Sequence, residues 1–220
     1  MTQLRLPIFP LGTVLFPNGL LPLHIFEEQY RRMLRDAQHN DPAFVVALSR
    51  GAAESGIPLR PRGVGTACRI SGVTPRPDGR SDIVVTGRYR VRIGDLEWSN
   101  GYATGDIEML EETIDDGEVV AARYGTMRRR FAAYLRLIER LVGDALPKLD
   151  TTDNPSVGSW IVGETLTLHT WERQELLEAT TVDERLEILD AYLRRETALL
   201  RETGIIGTTL DFPGRNLTLN

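Results

Sequence analysis

The sequence predicts an α+β fold with its strands gathered in the first half and its helices in the second. Three observations carry this. Residues 1–112 read as short apolar runs separated by Pro- and Gly-bearing turns. From Glu118 onward the apolar residues instead recur every three or four positions. Strands followed by helices, rather than alternating with them, imply segregated halves. The expected organisation is a β-rich domain over 1–112 containing one helix, a helical bundle over 118–203 and an irregular tail over 204–220.

The first strand is Leu4 to Leu11, whose prolines at 7 and 10 suit a sheet edge or strand end. Phe16-Pro17-Asn18-Gly19 is a turn, because Pro presets its backbone angle and Asn-Gly tolerates positive φ. Leu20 to Phe26 follows as a strand interrupted by Pro22, and Phe26, Tyr30, Met33, Leu34 and Ala37 then mark an amphipathic helix. Asn40-Asp41-Pro42 stops it before a buried strand, Ala43 to Leu48. Residues 50–63, with Gly51, Gly56, Pro58, Pro61 and Gly63, read as a loop. Val64 to Val73 and Ile83 to Thr86 flank the hairpin signal Pro75 to Arg80. Tyr89 to Ile93 alternates apolar and charged residues, as a strand with one wet face should, and Tyr102 to Leu110 closes the β-rich part.

In the second half, Val120, Tyr124, Met127, Phe131, Tyr134, Ile138 and Leu141 trace one face of a long helix ending near Gly143. Asn154-Pro155 opens the next, with a capping residue before a proline at the first helical position; its apolar members include Val157, Trp160 and Ile161. Thr170 caps a short helix running to Ala179. Thr181-Val182-Asp183-Glu184 is a capping box for a helix that buries Leu186, Leu189, Leu193 and Leu200.

Composition removes whole classes of function. The chain is 41% hydrophobic and 26% charged, ordinary globular usage. It has no run near the roughly 18 apolar residues of a spanning helix. Its start lacks the basic-then-apolar pattern of a signal peptide, and its one cysteine, Cys68, forms no internal disulfide, so a cytoplasmic setting is expected. Residues 1–110 hold 13 Arg against 11 acidic residues, and 111–220 hold 13 cations against 20 acids. With a pI of 5.3, broad nucleic-acid affinity is disfavoured, although a local patch on the first half stays open.

Enzyme signatures fail one by one. The single lysine, Lys148, has no Gly-rich phosphate loop around it. Gly63-Val64-Gly65 has Cys68 where a dinucleotide fingerprint needs its third glycine, and neither G-x-S-x-G nor S-x-x-K occurs. Cys68, His24, His39 and His169 are scattered, without zinc-ligand spacing. His24 reads either as a buried, hydrogen-bonded histidine or as a polar group in a pocket. Glu27-Glu28 and Asp115-Asp116 are adjacent acids, which point apart on a helix and make no dyad. The arginines of the long helix, Arg123, Arg128, Arg129, Arg130, Arg136 and Arg140, read as a solvated face. Phe16, Leu20, Trp98, Tyr102, Trp160 and Trp171 are core residues or parts of a concave binding surface.

Leu6-Pro7-Ile8-Phe9-Pro10-Leu11, then Val14 to Gly19, then Leu21-Pro22-Leu23-His24-Ile25-Phe26-Glu27 with Tyr30-Arg31, resemble the N-terminal substrate-binding domain of Lon proteases. The form Pro-Leu-His-Ile-Phe-Glu is similar to free-standing bacterial members, which lack the ATPase and peptidase. Gly63-Val64-Gly65-Thr66 and Gly87-Arg88-Tyr89-Arg90-Val91 match two later blocks. The Trp160 helix, Leu176-Leu177-Glu178 and Glu184-Arg185-Leu186 look like the family's helical portion, so the resemblance spans about 4–200.

The resemblance implies a PUA-like pseudo-barrel over 1–112 and a helical bundle after it. It also implies a non-enzymatic role: binding unfolded or damaged protein segments or peptides, with other proteins of a proteolytic or quality-control system as further partners. No catalytic residue, metal or cofactor is expected. The candidate binding residues are Phe16, Pro17, Asn18, Gly19, Leu20, His24, Phe26, Trp98, Tyr102 and Trp160, placed near the first turn and the junction with the helical half. RNA or nucleotide binding through the β-rich half is the alternative, and a hydrolase pocket around His24 and Glu27 is a third reading.

Overall fold

The computed structural model describes residues 4–50, 60–98, 101–114, 116–143, 152–204, 210–212 and 215–217. The chain divides into two compact units, Met1–Glu111 and Glu112–Asn220. The first is built from β1 (Leu4–Leu11), β2 (Leu20–Ile25), α1 (Glu28–Ala37), β3 (Phe44–Arg50), β4 (Arg60–Pro75), β5 (Ser81–Glu97) and β6 (Ala103–Met109). Strand order is β2-β5-β4-β3-β1-β6, and β6 pairs back onto β5. Five strands therefore close on themselves while β2 hangs on the first half of β5 as an edge. Among the described strand pairings of this sheet, only β1–β3 is parallel.

The length of β5 makes this closure possible. Its residues 81–86 take β2, and its residues 91–97 take β6 on the same side. The expected separate strands Ile83 to Thr86 and Tyr89 to Ile93 are thus one 17-residue strand. Arg90, expected on a wet face, is 2% exposed. The stretch Arg60 to Gly63, expected as loop, belongs to β4, where Arg60 and Pro61 pair with Arg50 and Ser49 beyond a bulge; residues 51–59 lie outside the described residues.

β3 is buried on both faces, which explains its unbroken apolar run. Val45 and Ala47 join Leu6, Ile8, Ala67, Val91, Ala103 and Ile107 inside the barrel. Phe44 and Val46 face a second cluster with Met33, Leu34 and Ala37 of α1, Ile25 of β2, and Ile83 and Val85 of β5. Cys68 is buried there, and its thiol donates to the Phe44 carbonyl.

The second unit contains α2 (Gly117–Val142), α3 (Pro155–Thr165), α4 (Thr170–Glu178) and α5 (Val182–Thr203). Two three-residue strands, β7 (Leu210–Phe212) and β8 (Arg215–Leu217), pair antiparallel within the tail expected to be irregular. Asp116 caps α2 by accepting from the Glu118 and Val119 N–H groups, and Gly143 ends it in the left-handed region at φ 78°. Asn154 caps α3 ahead of Pro155. The N-cap of α4 falls on His169, one residue before the expected Thr170, and Glu172 accepts from the His169 N–H. Thr181 caps α5, but the Glu184 carboxylate reaches the Thr180 N–H and hydroxyl rather than Thr181.

Three arginines of α2 are paired with acids. Arg123 pairs with Asp183 and Glu187, Arg130 with Asp190, and Arg128 with Asp153. At the heart of this unit Arg185 is fully buried, with its guanidinium 3.7 Å from the Trp160 ring centroid and its nitrogens on Ser159 and Glu112.

Candidate functional site

The turn leading into β2 is set by local chemistry. The Gly19 N–H donates to the Phe16 carbonyl at 3.0 Å, and Asn18 takes the positive φ, 64°, that such a turn requires at its third position. The turn is tied to β5 by the Asn18 N–H donating to the Gly87 carbonyl and the Gly87 N–H donating to the Gly19 carbonyl. Thr66 Oγ1 donates to the Leu15 carbonyl at 2.6 Å from beneath. Gly87 is obligatory here, since a Cβ would collide with the Phe16 carbonyl.

Pairing register then decides which side chains face water. Leu20, Pro22 and His24 stand opposite Thr86, Val84 and Asp82, and all six lie on the outer face of the sheet. Their odd-numbered neighbours Leu21, Leu23, Ile83 and Val85 pack inward. The outer face is apolar at Leu20 (55% exposed), Pro22 and Val84, and it continues to Phe26 (56% exposed). A free sheet edge invites strand addition, but Pro22 has no N–H to offer there. The exposed side chains, not the backbone edge, are therefore the features of β2 suited to contact.

His24, expected in a buried setting or a pocket, is exposed on this face, because even-numbered positions of β2 point outward. Its Nδ1 lies 2.7 Å from Asp82 Oδ1, Arg76 Nε donates to Asp82 Oδ2 at 2.7 Å, and Phe26 stacks on the imidazole. The hydrogen bonds from His24 and Arg76 hold the Asp82 carboxyl below its usual range. A His–carboxylate pair is two-thirds of a nucleophilic triad, yet among the described residues no hydroxyl or thiol bonds to the His24 ring. Glu27 precedes α1 and accepts from Gln29, while Glu28 pairs with Arg31 and Arg35. Asp115 lies outside the described residues.

The candidate residues divide sharply. Asn18, Gly19, Leu20, His24 and Phe26 share the β2 surface, while Phe16 and Pro17 are buried under the turn and shape it. Tyr102 is core, its hydroxyl donating to Asp36 at 2.9 Å. Trp98 is exposed at the opposite end of β5. Trp160 belongs to the core of the second unit under Arg185. Sequence reasoning missed Pro22 and Val84, since only strand pairing puts them side by side. Seven arginines of the first unit are matched by carboxylates: Arg5, Arg31, Arg35, Arg76, Arg80, Arg88 and Arg92.

Among the described residues no cluster of His, Cys, Asp and Glu could hold a metal ion. Among them, too, no helix is long and apolar enough to cross a membrane.

Comparison with known proteins gives a consistent picture. The model of the ATP-dependent protease La (LON) substrate-binding domain matches residues 5–195. The chain is 29% identical over 204 residues to a Lon protease of Escherichia coli, covering 90% of this chain and 26% of that protein. It is 26% identical to a Lon protease of Azospirillum brasilense, covering 89% and 24%. The chain thus spans about a quarter of the length of these relatives. Among solved structures, a Lon N-terminal domain protein from Xanthomonas campestris superposes with a TM-score of 0.60 at 25% identity, covering 86% of this chain and 98% of that one. The N-terminal domain of a Mycobacterium avium complex Lon protease gives 0.61 at 19% identity over the same shares, a likeness of fold.

Proposed function

Since the chain belongs to the Lon substrate-binding domain family, we propose that it is a recognition module without chemistry of its own, gripping exposed apolar segments of unfolded or damaged polypeptides. Its 220 residues contain no Gly-rich phosphate loop and no Ser-Lys pair at S-x-x-K spacing. The observation that carries the reading is the solvent-facing apolar row Leu20, Pro22 and Val84, extended by Phe26, beside a His24–Asp82–Arg76 group whose members already bond one another. Apolar contact contributes roughly 25 cal/mol per Å² buried, less the cost of ordering the ligand. Such contact is tolerant of sequence, which suits a module meeting many damaged chains in the cytoplasm within a proteolytic or quality-control system.

The test is titration of the protein into a fluorescently labelled, permanently unfolded polypeptide, followed by anisotropy. Saturable binding at micromolar concentration is expected. Leu20→Asp and Phe26→Asp should each weaken it by about tenfold or more, because burying such a side chain contributes roughly 1.5–3 kcal/mol. Absence of saturable binding by the native sequence would refute the reading.

A further inference from the structure

The outer face of β2, β5 and β4 carries more information than its apolarity. Three rows cross it: Leu20–Thr86–Arg69, Pro22–Val84–Gly72 and His24–Asp82–Thr74. In the middle row Gly72 leaves a gap. A Cβ placed there would meet no atom within 4 Å, and the φ of Gly72 lies outside the left-handed region, so the backbone itself would accept a side chain. The gap uncovers one flank of Val84, which is 38% exposed, and Pro22 stands on the other flank. At one end of the face Ser71 and Thr86 bond each other through their hydroxyls, and Arg69 is exposed beside them. Arg76, Arg80 and Arg88 nearby are each matched with an aspartate. Arg69 has no carboxylate partner among the described residues.

From this juxtaposition we infer that the Gly72 gap seats one apolar side chain of an extended peptide and that Arg69 receives a carboxylate two residues away on the same peptide. The inference rests on the recognition reading above and names its substrate class: apolar segments with an acidic residue at a spacing of two. Side chains two apart on a strand share a face and stand about 6.6 Å apart. The Arg69–Thr86 and Gly72–Val84 rows are likewise two β5 residues apart, so an extended peptide lying along the strands matches both features at once. The opposite end of the face attracts no second charge, since Asp82 is already matched by His24 and Arg76.

Three short labelled Gly/Ser peptides test this by anisotropy against the whole chain. Each carries one Leu and, two positions to either side, Asp, Asn or Arg. The Asp peptide should bind about two- to fivefold tighter than the Asn peptide, the range an exposed ion pair supplies, and the Arg peptide should bind most weakly. Arg69→Gln should close the Asp–Asn gap while leaving the Asn peptide unchanged, and about 1 M salt should narrow it in the native sequence. Gly72→Leu, filling the gap, should weaken all three by about tenfold, the value of one buried apolar side chain. Equal binding of the three peptides, or a gap that survives Arg69→Gln, overturns the inference while leaving apolar recognition intact. No binding by any peptide overturns the inference, and it removes the recognition reading as well only where the unfolded polypeptide also fails to bind. A single-stranded oligonucleotide binding as tightly as the Asp peptide, and lost in Arg69→Gln, would assign Arg69 to phosphate and overturn it as well.

Discussion

Removing Glu112 should destabilise the second unit more than removing Arg185, although the two residues form one pair. Arg185 is fully buried, whereas the Glu112 side chain keeps 32% exposure. Arg185 Nη2 lies 2.5 Å from Glu112 Oε2, its Nε donates to Ser159 Oγ at 2.8 Å, and its Cζ sits 3.7 Å from the Trp160 ring centroid. Glu112→Ala leaves a buried cation without its carboxylate. Breaking a buried pair in this way costs about 3–5 kcal/mol, and the exposure of Glu112 puts this case near 3. Arg185→Met keeps an apolar stem over Trp160 and leaves a carboxylate that water can reach. The loss is then chiefly the cation–π contact, about 1–2 kcal/mol. The double variant should match Arg185→Met rather than the sum, because no buried charge remains. Urea unfolding followed by far-UV circular dichroism reads this, since α2 to α5 dominate the helical signal. For a unit of this size 3 kcal/mol corresponds to a fall in Tm of about 12 °C or more. Arg185→Met proving as costly as Glu112→Ala, or additive costs in the double variant, would refute the reasoning.

Three further outcomes follow from the same physics. Gly87→Ala should cost about 1–3 kcal/mol in thermal unfolding, because its Cβ must displace the Phe16 carbonyl and with it the turn before β2. Burial alone would raise the Glu172 carboxyl, but the Arg195 guanidinium and the His169 N–H more than reverse this and hold it below its ordinary range. A lowered folded value contributes stability that is present above the unfolded pKa of about 4.3 and is lost as pH falls through the folded value. The stability gap between the native sequence and Glu172→Gln, measured by urea midpoints, should therefore shrink on acidification below about pH 4. Burial pushes the Cys68 thiol far up, so a thiol reagent at neutral pH should label the native chain only at its opening rate and the urea-unfolded chain at once.

Much of the local structure was legible without coordinates. Asn154-Pro155, Thr181 and Gly143 mark helix ends in the sequence and do so in the structure, because caps answer to backbone groups within a few residues. Pro17-Asn18 announces its turn for the same reason. The extent of β5 was not legible, since Gly87 and the charged run Arg88 to Arg92 look like an interruption until β2, β4 and β6 are all seen to hold it. The candidate surface was half legible: Leu20, His24 and Phe26 were singled out, whereas Tyr102 and Trp160 proved to be core and Trp98 stands just past the far end of β5.

Taken alone, the sequence determined the segregation of strands from helices, the boundaries that caps and turns mark, and the blocks that match the family. Each depends on neighbours a few positions apart. Tertiary structure decided which face of β2 is wet, that Val84 lies between Pro22 and Gly72, that Arg69 has no carboxylate partner among the described residues, and that Arg90 and Arg185 are buried. These depend on strand register and on packing between residues distant in the chain. A register slip of one residue would turn every side chain of β2 to the other face without changing a single local preference.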